Sequence, residues 1–150
     1  MSEADSSCEL APGSAPASPG SRVLRFSGDF RWEGVPVTEY KQASDHWAGV
    51  ARMMLVGDRG ERTGFHVRYF EIAPGGFSSL EHHAHEHAVV VLRGRGCVQL
   101  PDGDHDLAFG DTVYVAPHEP HRFRNPSDRE PFGFLCIVDA NRDAPSPVKP

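Results

Sequence analysis

The run Glu81-His82-His83-Ala84-His85-Glu86-His87-Ala88-Val89-Val90-Val91-Leu92-Arg93 leads directly into Gly94. Four of the chain's nine histidines fall in its first half, and an unbroken apolar stretch fills its second. Val and Leu in a short run that stops at Gly read as a buried strand. A strand that opens on imidazoles and closes on valines suits the wall of a metal-binding barrel. A second polar site, His118-Glu119-Pro120-His121, follows another strand pattern, Thr112-Val113-Tyr114-Val115-Ala116.

Working outward, the dominant period is two. Gly64 to Ile72 alternates and meets Ala73-Pro74-Gly75-Gly76, where a turn is expected. Cys97 to Leu100 reaches Pro101-Asp102-Gly103-Asp104, a hairpin signal. His121 to Arg124 and Phe132 to Val138 add two further strands, and Val35 to Tyr40 and Gly49 to Val56 two weaker ones. Many short strands with Gly/Pro punctuation and no helical period imply an all-β sandwich or barrel. Residues 1–21, rich in Ser, Ala, Pro and Gly, are expected to form a disordered tail. Residues 22–140 are expected to fold as one domain, and 141–150, with three prolines, to be a loose C-terminal tail.

Composition narrows the function classes. The net charge of −6 argues against an electrostatic nucleic-acid or anionic-membrane partner. No apolar stretch approaches the roughly 20 residues of a membrane helix, and the N-terminus lacks the apolar core of a secretory signal. A cytoplasmic protein is the expectation. Cys8, Cys97 and Cys136 are too few and too scattered for a disulfide framework. Cys97 and Cys136 read as small buried hydrophobes within strands.

Strand alternation decides which polar side chains can meet. If 77–83 is extended, Phe77, Ser79, Glu81 and His83 share one face and His82 takes the other. Beyond a bend near Ala84-His85-Glu86, His87, Val89 and Val91 share a face. On the later strand His121, Phe123 and Asn125 do so. Glu81, His83, His87 and His121 are therefore the candidate metal ligands. Arg68 and Phe70 share one face of their strand; an inward Arg68 could grip a carboxylate through its bidentate fork. Phe123, Phe77, Arg68 and Tyr114 are the candidate substrate contacts. His82 and His85 read as surface or supporting groups, His118 as a turn residue near the mouth, and His46, His66 and His105 as surface or satisfied core histidines. Arg93 and Arg95 read as a solvated turn. Val90 and Leu92 are apolar opposite His87, so a second layer must cover them: the other sheet, the N-terminal strands or another subunit.

The spacing resembles the cupin superfamily. Its first motif (Gly, five residues, His-x-His, three residues, Glu, six residues, Gly) is matched by Gly75, Glu81, His83, His87 and Gly94. Its second (Gly, five residues, Pro-x-Gly, two residues, His, three residues, Asn) is met in spacing by Gly110, Ala116, His118, His121 and Asn125, with Ala116 in place of the Pro and His118 in place of the Gly. The family's first His is Glu81 here and its Glu is His87, so three imidazoles and one carboxylate are kept with positions exchanged. Glu81 either binds metal directly or accepts a hydrogen bond from a ligand. The resemblance implies a single-domain jelly-roll barrel and one divalent transition metal: Fe(II), Mn(II), Ni(II), Co(II) or Zn(II). It also implies a small-molecule substrate or ligand, and a homodimer formed through N-terminal strands. Three functions follow from it: a metal-dependent dioxygenase first; a Lewis-acid isomerase, lyase or bond-forming enzyme with Zn or Mn; or a non-catalytic binding or sensing module.

Overall fold

The computed structural model describes residues 18–40 and 47–148. The expectations for residues 1–17, with Cys8, and for His46 lie outside the described residues. Among those described there are thirteen strands and no helix. Among the described residues no helix is long and apolar enough to cross a membrane.

The central strands are β4 (Ala48–Val56), β5 (Phe65–Phe77), β7 (His87–Arg93) and β12 (Phe132–Asp139). Along one wall, β3 (Thr38–Glu39), β4, β5, β12, β7 and β10 (Thr112–Val115) pair in that order. At Phe77 the far end of β5 pairs with Arg124 of β11 (Arg122–Arg124). The sheet continues from there into β8 (Gly96–Leu100) and β9 (Gly103–Leu107). A bridge between Glu81 and His121 ties this second wall to β6 (Glu81–His82). The result is a strand-built barrel, as the period of two implies.

Period two also assigns the faces. On β5, Arg68, Phe70 and Ile72 point inward, where they meet Val89 and Val91 of β7 and Phe134, Cys136 and Val138 of β12. Opposite, Met53, Leu55 and Tyr69 are buried beneath the N-terminal segment, with Leu24, Phe30, Trp32, Leu92 and Leu135 packed around them. The cover that Leu92 requires therefore includes this chain's own β1 (Phe26–Gly28) and β2 (Arg31–Trp32). Those two strands join through Asp29 and Phe30, both at positive φ, the backbone hand that a two-residue hairpin needs. Stacking of Phe30 on Tyr69, with centroids 5.7 Å apart, holds that strained residue in place.

Three expectations change. Ala73-Pro74-Gly75-Gly76 does not end its strand; β5 runs through to Phe77. Its pairing with β4 jumps from Val50↔Ile72 to Ala48↔Phe77, so the extra residues are absorbed as a bulge. The Gly75 backbone N–H donates to the Asn125 and Ser127 carbonyls and Asn125 Nδ2 donates to the Ile72 carbonyl, and together they anchor that bulge. Where a loose C-terminal end is expected, β13 (Ser146–Pro147) instead pairs with β6. Asp143 accepts from the Ala84 amide at 2.9 Å and contacts His85 Nδ1 at 2.8 Å. Proline does not prevent this, because a two-residue edge strand needs few donors. Arg93 also differs from a solvated side chain: it reaches Glu71 at 3.0 Å and Asp29 at 2.9 Å and lies over the Phe30 ring. Arg95 is exposed.

Candidate metal centre

From Ser79 to Val91 every second residue is buried. The chain bends at Ala84 and His85, as the sequence suggests, yet the alternation of burial continues through that bend. His83, His85 and His87 consequently face one way, and their rings form a stack: 3.7 Å between the His83 and His85 centroids and 4.4 Å between those of His83 and His87. His121 enters from β11's start, edge-on to both His83 and His87.

Nitrogen geometry gives this cluster its chemistry. His83 Nε2 lies 2.7 Å from His87 Nε2 and 3.2 Å from His121 Nε2. His83 Nδ1 sits 2.7 Å from the His85 carbonyl and His121 Nδ1 2.9 Å from the Glu119 carbonyl. A carbonyl can only accept, so both Nδ1 atoms carry the proton and both Nε2 atoms present bare lone pairs. Lone pairs so close repel unless a cation lies between them. One ligand atom from each of His83, His87 and His121 lies within 4.8 Å of the others, an arrangement that could hold a metal ion. Nδ1 anchoring of this kind fixes ligand orientation in metal sites.

Burial keeps the rings neutral, as ligation requires. It pushes His83 down to about 4, against the lifting effect of the His85 carbonyl and with help from His85 and His121. Burial, then His83 and His121, drive His87 lower still. His121 is lowered by burial although Glu119 and Glu81 oppose this.

These shifts carry a stability signature. An unfolded imidazole protonates near 6.5, whereas the folded ones resist protonation, so the unfolded chain binds more protons in between. The resulting stability is complete above about 6.5 and drains away as pH falls toward about 4. Metal-free protein is expected to melt at progressively lower temperature between pH 7 and pH 4.5. A melting temperature that stays flat over that range would remove the case for buried neutral imidazoles.

The remaining predicted residues divide. Glu81 is buried, lines the same cavity, and accepts a 2.6 Å hydrogen bond from Ser79 Oγ, but its carboxylate is outside the three-nitrogen group. Arg68 and Phe123 line the cavity, which has a volume of about 460 Å³. Phe77 does not line it; its ring lies under Arg122. Tyr114 is 67% exposed, because β10 turns Val113 and Val115 inward and Tyr114 out. His118 sits at positive φ and donates its amide to the His83 carbonyl, bracing the ligand loop. His105 pairs with Asp102 at the exposed edge.

Sequence reasoning misses several cavity residues. Arg52 shares the inward face of β4 with Val50, and alternation could have found it. His66 shares the parity of Arg68. Cys136, read as core filler, lies 3.2 Å from both His87 Nδ1 and Arg68 Nη2. Arg142 and Asp143 belong to the expected tail and carry no signal of their own. The Ala84 amide and His85 hold the Asp143 carboxyl well below the usual carboxylate range.

A strand-built barrel with converging imidazoles on its inner wall, opening on a cavity of small-molecule size, defines a small β-barrel protein whose three-histidine cluster could hold a metal ion. The cupin domain model matches residues 68–138. The chain is 41% identical over 121 residues to 1-methylthio-D-xylulose 5-phosphate methylsulfurylase of Rhodospirillum rubrum, covering 80% of this chain and 76% of that one. Among solved structures it resembles a cupin 2 conserved barrel protein from Rhodopseudomonas palustris (TM-score 0.78, 37% identity, 85% and 87% of the two chains). A cupin 2 domain protein from Halorhodospira halophila is similar at 44% identity, with a TM-score of 0.66 over 87% and 85% of the two chains. The chain belongs to the cupin family.

Proposed function

We propose that this cupin is a metal-dependent enzyme of small organic molecules, with His83, His87 and His121 holding one divalent ion by their Nε2 atoms. The observation that carries this is the convergence of three neutral imidazoles, each anchored through Nδ1, on one wall of the cavity. Three imidazoles suit Zn(II), Fe(II), Mn(II), Co(II) or Ni(II). When bound, such an ion supplies Lewis acidity toward a carbonyl or hydroxyl oxygen.

The 41% identical relative, named for a methylsulfurylase of 1-methylthio-D-xylulose 5-phosphate, supports a methylthio-bearing ketose phosphate as substrate. It favours Lewis-acid chemistry over the dioxygenation that the cupin resemblance first implies. In this reading Phe70, Phe123 and Phe134 exclude water from the reacting end. Glu81, with Oε2 fixed by Ser79, holds or releases a substrate proton at its carboxylate. It acts beside the ion instead of binding it.

Elemental analysis joined to a turnover assay tests the reading. About one equivalent of a first-row metal is expected, with anaerobic transfer of the methylsulfur group of 1-methylthio-D-xylulose 5-phosphate to an added thiol, the carbon–sulfur bond breaking as a disulfide forms and the thiol proton passing to carbon. Glu81→Gln should keep the metal and lose roughly 100-fold or more in kcat. Stoichiometric oxygen uptake would restore the dioxygenase reading. Absence of metal after reconstitution would end both.

A further inference from the structure

The cavity holds a second charged region, built from other elements than the imidazoles. Arg52 comes from β4, His66 and Arg68 from β5, and Arg142 from the segment after β12. Among the described residues no carboxylate pairs with Arg52, Arg68 or Arg142 within ion-pair distance. The two carboxylates that share the cavity are engaged elsewhere, Glu81 with Ser79 and Asp143 with Ala84 and His85.

What these guanidiniums do touch is weak. Arg68 Nη2 reaches only the Cys136 sulfur, at 3.2 Å, and its carbon lies over the Phe70 ring. Arg52 lies over the Tyr40 ring. Arg142 donates to the Asp139 carbonyl and meets His66 Nδ1 at 2.9 Å. Arg68 is only 5% exposed, and its Nε has no hydrogen-bond partner; the buried Nε of Arg52 has none either. A buried, unpaired guanidinium is costly. Three around one cavity repel one another as well. Burial, then Arg68 among the nearby charges, depresses Arg142, and burial, then Arg142 and Arg68, depress His66.

We propose that Arg52, Arg68 and Arg142 form a subsite for a phosphate monoester, the anionic end of a substrate whose reactive end faces the three imidazoles. Only that last clause rests on the metalloenzyme reading above; the anion site stands on the arginines themselves. A carboxylate is monovalent and one guanidinium fork satisfies it. Three guanidiniums match a dianion with three free oxygens. Arg68 links the two regions, since one thiol, that of Cys136, separates its Nη2 from His87 Nδ1. The phosphate thereby registers the substrate against the metal wall.

The test is calorimetric titration of inorganic phosphate, glycerol 3-phosphate and acetate into full-length protein stripped of metal by chelation, in phosphate-free buffer. Saturable binding of both phosphate probes is expected, with acetate far weaker. Arg68→Met and Arg142→Met should each weaken glycerol 3-phosphate at least about tenfold, while His82→Ala, outside the cavity lining, leaves it unchanged. If Arg68→Met does not fold, Arg142→Met and the less buried Arg52→Met carry the comparison. No saturable phosphate binding by the metal-free wild type would overturn the subsite. So would acetate binding as tightly as phosphate, inorganic phosphate binding without the ester, or undiminished affinity in every folded arginine variant. Phosphate binding that persists in a protein without metal or turnover would sink the catalytic reading and spare this one. Metal and turnover without phosphate binding would do the reverse.

Discussion

His83→Ala abolishes stoichiometric metal binding and the activity that depends on it. His83 is the centre of the cluster: its Nε2 is the atom that approaches both His87 Nε2 and His121 Nε2, at 2.7 and 3.2 Å. Removing it leaves two imidazoles and breaks the ring stack that aligns His87. Loss of a group that merely supports a ligand costs roughly 10–100-fold in affinity, so loss of the central ligand should exceed about 100-fold. The readout need not be catalytic. A metal that binds only the folded chain raises stability by about 4 kcal/mol at a thousand times its Kd, and the wild-type melting temperature should rise accordingly. The variant should show no rise. His82→Ala is the control, because alternation turns His82 to the opposite face from the buried His83. If His83→Ala retains one equivalent of metal, or His82→Ala loses it, the site is wrongly drawn.

The period of two made much of this legible. Alternation through Ser79, Glu81 and His83, and again through His87, Val89 and Val91, places the imidazoles on one wall before any coordinate is known, and the buried residues follow it. The same rule could have placed Arg52 beside Val50. It fails where the chain departs from regular pleating. The Ala73-Pro74-Gly75-Gly76 run carries every local mark of a turn, yet the bulge there is held by Asn125 and Ser127, some fifty residues on. Local propensity cannot see partners at that distance. The C-terminal segment is the harder case. Three prolines read as a loose end, but Asp143 folds back onto Ala84 and His85, and Arg142 onto His66. Neither residue is apolar or periodic, so nothing in the pattern marks them. Two of the five charged side chains that line the cavity, Arg142 and Asp143, therefore come from a segment that strand pattern alone would not assign.

Charge is also sorted within that cavity. Neutral imidazoles and engaged carboxylates occupy one part, and unpaired guanidiniums another. A fold optimised for stability alone would neutralise or expose those arginines. Their mutually repelling arrangement around one cavity, with Arg68 buried, makes sense when a ligand completes it, as destabilised groups at binding sites generally do.

The motif glycines give the second large effect, and they separate two physical roles that the spacing treats alike. Gly94 and Gly110 each close or open a motif, and both adopt positive φ, +66° and +87°. For either, alanine costs about 1 kcal/mol in backbone conformation. Gly110 has open space around its missing Cβ. A Cβ at Gly94 would lie 2.2 Å from the Pro131 carbonyl oxygen, a backbone atom that cannot rotate away. Next to Pro131, Phe132 is fully buried and Gly133 pairs with Arg93, so relief requires moving the start of β12 against β7. Overpacking of this kind adds roughly 1–3 kcal/mol. Gly94→Ala should therefore lose about 3 kcal/mol, on the order of 10 °C in melting temperature for a domain of this size, and Gly110→Ala about a third of that. Denaturant melts of the two variants decide the matter. Equal losses would mean that φ alone explains both glycines, and that the close approach of the β7–β8 turn to Pro131 is not what fixes Gly94.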